Sequence, residues 1–335
     1  MKLISFEDRG RREIGLVHDH KPYRLSVLQP ALPHDMTEFL SLGEAAMQQA
    51  QDANRRITSG DCESEALITH DIQLLAPVPR PTSCRDGYAF RQHVAAARRN
   101  RGVDMIAEFD QYPIFYFTNH RSVQGPGAIR CMPDHFRQLD FELEVAVVIG
   151  KSGRNIRAAE ADQYIAGYTI MNDMSARTLQ MEEMLLNLGP AKGKDFSTVI
   201  GPWLVTPDEL ETYRCAPMAG HTGSAFRLDM VCRVNGVEVS RGNMGDMDWT
   251  FAEIIERCAY GVDLAPGDVI GSGTVGTGCF LELNGTGRRL NPEGFVAQWL
   301  QEGDRVDLEV TSLGLLSNYI EREGDDFSIL ALKKN

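Results

Sequence analysis

Three short runs near the start, Lys2 to Phe6, Arg12 to Val17 and Tyr23 to Leu28, mix apolar and polar positions over a strand's length, which predicts strands. From Met36 to about Ile57 the period changes. Phe39, Leu42, Ala46 and Ala50 recur at helical spacing with polar residues between them, which predicts a helix. The stretch Leu74-Leu75-Ala76-Pro77-Val78-Pro79-Arg80-Pro81 carries three alternating prolines, which withhold backbone donors and helical angles. It reads as a domain boundary near residue 76, dividing a small N-terminal α+β unit, residues 1–75, from a larger unit, 76–335.

Beyond the boundary the pattern is mainly β. Ile114 to Thr118, Phe141 to Ile149, Tyr164 to Met171, Arg227 to Val234, Val269 to Gly271, Phe280 to Leu283 and Val306 to Val310 have strand length and are separated by Gly, Pro, Asn and Asp. Helical patterns are fewer: Tyr88 to Asn100, Ser175 to Leu188 and Phe251 to Cys258. Without a βα alternation, the larger unit is expected to be mainly β with some α, a sheet sandwich or roll.

Composition narrows the partners. The 335 residues carry 34 Lys and Arg against 47 Asp and Glu, a net charge of -13, and 43% are hydrophobic, enough for a sizeable core. An acidic surface repels phosphate backbones and anionic headgroups, so neither nucleic acid nor membrane is the expected partner. Charged residues interrupt the first nine positions, and no apolar run approaches the ~20 residues of a membrane span, so a cytoplasmic protein is expected. The seven cysteines form no C-x-x-C pair and read as reduced thiols.

Two phosphate-loop patterns fail on context. Gly271-Ser272-Gly273-Thr274-Val275-Gly276 spells a dinucleotide fingerprint, but the predicted strand Phe280 to Leu283 follows it where a helix is needed. Gly189-Pro190-Ala191-Lys192-Gly193-Lys194-Asp195 lacks the glycine spacing and the Ser or Thr of a nucleotide-binding loop. The chain also has no G-x-S-x-G or H-E-x-x-H motif, and its eight histidines do not cluster at metal-ligand spacing.

The informative residues are acids. In Asp140-Phe141-Glu142-Leu143-Glu144-Val145, Glu142 and Glu144 share one face of a strand, roughly 7 Å apart, and lead into an apolar run. Two like charges beside a core need a cation or base to compensate them, although a solvated face of an edge strand accounts for the pair equally simply. The run Tyr164 to Met171 ends in Asn172-Asp173-Met174-Ser175-Ala176-Arg177, where Asp173 is placed either to ligate or to cap the helix that follows. Arg177 and Gln180 share a face of that helix. In Asp86-Gly87-Tyr88-Ala89-Phe90-Arg91-Gln92-His93, a helix starting at Asp86 would put Asp86 and His93 on one face about 10 Å apart. Cap and surface histidine are the plain alternatives.

In this order, with Gly193-Lys194-Asp195-Phe196, Pro202-Trp203, Ser272-Gly273-Thr274 and Leu281-Glu282-Leu283 following, these segments resemble the fumarylacetoacetate hydrolase family over residues 76–335. The resemblance implies a β-rich roll and a Mg2+ or Ca2+ ion, with Mn2+ as a substitute, held by Asp86, Glu142, Glu144 and Asp173. Such an all-carboxylate set suits hard cations. It further implies His93 as a general base, a task suited to imidazole. Glu282 would orient the ring, Lys194, Arg177 and Gln180 would surround the substrate oxygens, Thr274 would hold the carboxylate end, and Tyr88 would line the substrate site.

The implied substrate is a small anionic dicarbonyl acid, and the implied assembly a homodimer. The first expectation is a hydrolase that cleaves the C–C bond of an acylpyruvate or related 1,3-dicarbonyl acid, His93 activating the water that attacks a metal-polarised carbonyl. The alternative is a decarboxylase or lyase of a β-keto acid such as oxaloacetate, through a metal-stabilised enolate. A non-catalytic Ca2+-binding protein is the third. The Asp86 and His93 pair favours hydrolysis here, since decarboxylation needs no water-activating base. One departure bears on the substrate: Phe117-Thr118-Asn119-His120-Arg121-Ser122 stands where the prototype hydrolase has Gly-Tyr-His-Gly-Arg, and His120 and Arg121 are either carboxylate binders or ordinary loop residues.

Overall fold

A computed structural model describes residues 1–334. Its larger sheet runs in the order Lys21–Arg24, Arg11–His18, Lys2–Asp8, Thr198–Val205, Ile165–Asp173, Leu143–Ile149, Val269–Gly271, Cys84–Gly87, Phe115–Phe117. Lys2 pairs with Val205, so this sheet continues through the strands of the first 75 residues. A second sheet, in the order Val237–Asn243, Asp229–Val234, Arg305–Val310, Gly314–Arg322, Gly127–Cys131, packs against it.

The larger sheet curls. Just past its edge strand Phe115–Phe117, the chain returns through Val123–Gln124, which pairs in parallel with Thr198–Val199 at the middle of the sheet. Across the resulting seam Thr118 Oγ1 and Thr198 Oγ1 lie 3.4 Å apart. The mixed, sheet-dominated architecture is the expected roll.

Apart from Glu144 near its start, the strand Leu143–Ile149 is apolar, because both of its faces are covered. Val145, Val147 and Ile149 join Ile170, Met230, Leu308, Leu316 and Ile320 in the core that includes the second sheet. Ala146 and Val148 join Met171, Ile200 and the small face Ala46, Ala50, Ala53 and Ile57 of the helix Glu44–Ser59. At about 25 cal/mol per Å² of apolar surface, this double burial makes the strand the rigid axis from which the site hangs.

Several elements differ from the sequence expectation. The predicted helix from Met36 divides into Met36–Ser41 and Glu44–Ser59, because Gly43 turns the chain at φ +69°. The predicted strand from Tyr23 to Leu28 ends at Arg24 and becomes a helical turn, Leu25–Leu28, that buries Leu25 and Leu28. The predicted strand Phe280 to Leu283 is instead the start of the helix Phe280–Leu290. The helix Arg91–Asn100 begins five residues after Asp86, which lies in the strand Cys84–Gly87. Among the described residues, no helix is long and apolar enough to cross a membrane.

Candidate functional site

Strand direction gathers the acids. Leu143–Ile149 runs antiparallel to both Ile165–Asp173 and Val269–Gly271, and Val269–Gly271 runs parallel to Cys84–Gly87. The start of the first strand and the ends of the other three therefore lie at one edge of the sheet. Glu142 and Glu144, Asp173 and Asp86 occupy those positions, all buried. Glu142 and Glu144 thus belong to the sheet's interior, which excludes the solvated edge strand. Neither Asp173 nor Asp86 caps a helix: the residues at those caps are Ala176 and Phe90, and neither uses a side chain.

One carboxylate oxygen each from Asp86, Glu142 and Glu144 lies within 4.8 Å of the others. Asp86 Oδ1 also accepts the Gly273 N–H at 3.0 Å, and a Cβ on Gly271 would overlap that oxygen, which is why the glycine-rich loop is needed here. Asp173 stands beside this triad. Its Oδ2 accepts Lys194 Nζ at 2.7 Å and the Tyr116 hydroxyl. Lys194 Nζ also reaches Glu142 Oε2 at 2.5 Å, and Arg177 lies 2.8 Å from Glu142 Oε1 and 2.8 Å from Asp140 Oδ2.

The electrostatics divide the acids. Burial would raise Glu142, but Lys194 and Arg177 hold it down at about 2. Burial and the charge of Asp173 push Asp86 up to about 7. Burial, with Asp86 and Glu142 beside it, drives Glu144 well above the usual carboxyl range. Five buried acids, Asp86, Asp140, Glu142, Glu144 and Asp173, face two buried bases, Lys194 and Arg177, so the cluster lacks positive charge. Glu144 Oε2 and Asp173 Oδ1 are buried with no hydrogen-bond partner. Oxygen donors, orphaned oxygens and missing positive charge together fit a hard divalent cation.

His93 faces the same cavity from the helix Arg91–Asn100. Its Nδ1 lies 2.7 Å from Glu282 Oε2, and Tyr88 packs edge-on against its ring at 6.0 Å. Asp248 accepts the Arg91 N–H at 2.8 Å and fixes the start of this helix. Asn100 Nδ2 donates to Glu282 O and Thr286 Oγ1, tying the two helices together.

The cavity measures about 840 Å³. Asp86, Glu142, His93, Lys194, Arg177 and Thr274 form its polar end, while Phe109, Met181, Trp249 and Trp299 line the apolar wall. Gln180 and Tyr88 also line it, Gln180 with its carbonyl already bound to Arg177 at 2.9 Å. Thr274 Oγ1 donates to Glu144 Oε1 at 3.3 Å. His120 and Arg121 lie exposed on a turn away from these walls.

Two residues at the site carry no expectation from sequence. Tyr116 supplies the only side-chain hydroxyl in Phe115-Tyr116-Phe117, a run that otherwise reads as a plain strand. Asp140 shares its spacing with the two glutamates, and that spacing is the available signal. Asp140 Oδ1 and Oδ2 accept the Phe280 and Leu281 N–H groups at 2.7 and 2.9 Å. A helix does follow the glycine-rich loop, therefore, but an internal carboxylate occupies its N-terminus where a pyrophosphate would sit.

A family model described as fumarylacetoacetate (FAA) hydrolase C-terminal matches residues 82–321. The chain is 32% identical to oxaloacetate tautomerase FAHD2A, mitochondrial, of Homo sapiens over 305 residues, 88% of this chain and 82% of that protein. It is 28% identical to oxaloacetate tautomerase YisK of Bacillus subtilis (strain 168) over 337 residues, 96% of this chain and 100% of that one. Among solved structures, fumarylacetoacetate hydrolase from psychrophilic Exiguobacterium antarcticum superposes with a TM-score of 0.70 at 24% identity, covering 96% of this chain and 100% of that chain. Maleylpyruvate hydrolase from Sphingobium sp. SYK-6 gives 0.66 at 19% identity, with 96% and 100% covered. Both structural likenesses concern the fold.

Proposed function

The chain belongs to the fumarylacetoacetate hydrolase family, and we propose that it is a divalent-cation-dependent enzyme that interconverts the keto and enol forms of a β-keto acid, with oxaloacetate as the first candidate. The activity that the similar named proteins carry favours enol chemistry of a β-keto acid over the C–C hydrolysis expected first from the sequence. The observation that carries the reading is the His93–Glu282 pair at 2.7 Å, on a wall of the cavity that also exposes Asp86 and Glu142. A base is no longer an argument for hydrolysis, because tautomerisation also requires one. Moving a proton between carbon and oxygen needs a group that can take it and give it back.

Asp86, Glu142 and Glu144, with Asp173 beside them, would hold the cation, which when bound supplies Lewis-acid charge to the oxygens of a dicarbonyl. Glu282 accepts a hydrogen bond from His93 Nδ1–H, which leaves Nε2 as the ring nitrogen that can take up a proton. Nε2 removes a proton from the carbon between the two carbonyl groups, and the imidazolium returns that proton to the ketone oxygen, so the enol has the composition of the ketone and His93 is regenerated. Lys194, held by Glu142 and Asp173, presents positive charge to the oxygen on which negative charge develops, while Arg177, whose nitrogens are engaged by Asp140, Glu142 and Gln180, adds its charge to the same wall of the cavity.

The test is the decay of enol-oxaloacetate absorbance with Mg2+ or Mn2+ and with chelator. Acceleration that needs the cation, with no release of CO2, is expected. Cation-dependent CO2 release would transfer the assignment to a decarboxylase. Cleavage of acylpyruvates with oxaloacetate untouched would restore the hydrolase.

A further inference from the structure

The seam of the curled sheet passes through the site. Tyr116 is on the edge strand Phe115–Phe117, opposite Asp86 on Cys84–Gly87. Asp173 ends the strand Ile165–Asp173, and three strands lie between the two along the sheet. The Tyr116 hydroxyl nevertheless donates to Asp173 Oδ2, because the curl brings the edge round. Lys194 Nζ donates to the same oxygen at 2.7 Å. Both donors are on Oδ2, while Oδ1 is buried without a partner. An unmatched buried carboxylate oxygen is costly and keeps its place only where something compensates it.

We propose that Tyr116 is a positioning residue of the cation site: its hydroxyl clasps Asp173 across the seam and, with Lys194, leaves Oδ1 as the oxygen available to the cation. The inference rests on the cation-binding part of the reading above and not on the reaction. Orienting partners of this kind typically change metal affinity by about 10–100-fold when removed. The Thr118 and Thr198 hydroxyls, 3.4 Å apart, are a second contact on the same seam, which reaches the strand partner of Asp173 but makes no bond to its carboxylate. They separate closing the seam from orienting the carboxylate.

The experiment is calorimetric titration of the metal-free full chain with Mn2+. Tyr116→Phe is expected to raise Kd about 10–100-fold, and Thr118→Val to leave it within about twofold. In an Asp173→Asn background Tyr116→Phe should add nothing further, since a residue acting through Asp173 has no independent effect once that carboxylate is gone. A lower melting temperature for metal-free Tyr116→Phe with Kd unmoved would make the tyrosine merely structural and overturn the proposal. Equal weakening by Thr118→Val would assign the effect to the seam as a whole and also overturn it. A wild-type chain that takes up no Mn2+ would remove the cation site and this inference with it, whereas tight wild-type binding with unchanged Tyr116→Phe removes this inference alone.

Discussion

His93 is placed by two helices and a carboxylate, and its side chain is largely shielded while its ring still faces the cavity. His93→Gln keeps a polar group of similar reach but cannot hold the transferred proton. Turnover of the enolisable acid should fall by about 10²–10⁴-fold, while calorimetric Mn2+ affinity stays at the wild-type value. Retention of full turnover would remove the histidine from the chemistry. Acids before or after apolar runs stand out in a sequence, which makes Glu142, Glu144 and Asp173 visible, whereas Asp86 reads locally as the start of a helix and joins them only through the family resemblance. The role of Tyr116 was not legible, because its partner is 57 residues away and reaches it only through the curl of the sheet. Arg177 shows a subtler limit: its residue type suits substrate oxygens, yet two of its nitrogens are committed to Asp140 and a third to Gln180.

The helix Phe280–Leu290 shows how an element can depend on one distant residue. Phe-Leu-Glu-Leu followed by Asn284-Gly285-Thr286-Gly287 has the alternation and weak helix formers of a strand and turn, and on local preference that reading is reasonable. Tertiary contacts override it. Asp140 receives the first two N–H groups of the helix, Phe280 packs edge-on against Phe141 at 5.0 Å, and Asn100 holds Glu282 O. Asp140→Ala therefore removes a helix cap and also leaves the buried Arg177 charge with Glu142 as its remaining carboxylate. Stability should fall by about 3–5 kcal/mol, the range for breaking a buried ion pair, read as a lower urea midpoint with the slope unchanged. A loss under about 1 kcal/mol, the scale of a cap alone, would show that Asp140 carries no burden beyond the helix end. By contrast the strand through residues 145–149 was legible, since a run apolar on both faces has few other places to go. The pairing of Lys2–Asp8 with Thr198–Val205 is a contact across about 200 residues, and nothing local encodes it.

At the scale of the molecule, the charge of -13 should ease as pH falls toward the sequence pI of about 5.1, since self-repulsion shrinks as acids are neutralised. His135 works against that trend. Its ring packs on Phe196 with centroids 4.0 Å apart, and its Nδ1 accepts the Met132 N–H at 3.2 Å, an arrangement that requires the neutral form. Burial, with Lys192 nearby, lowers it from the ordinary 6.5 to about 4. Between these values the unfolded chain binds a proton at this position and the folded chain does not, so acid draws the equilibrium toward unfolding. The contribution is intact above about pH 6.5, declines as pH falls, and is fully lost near 4, amounting to at most about 3 kcal/mol. His135→Asn keeps an acceptor for the Met132 N–H and cannot titrate. Its stability should be offset from wild type at neutral pH by a constant packing cost, and the two should converge as pH falls from 6.5 to 4 in urea melts. Parallel curves over that range would show that the imidazole is protonated in place and that acid sensitivity originates elsewhere in the molecule.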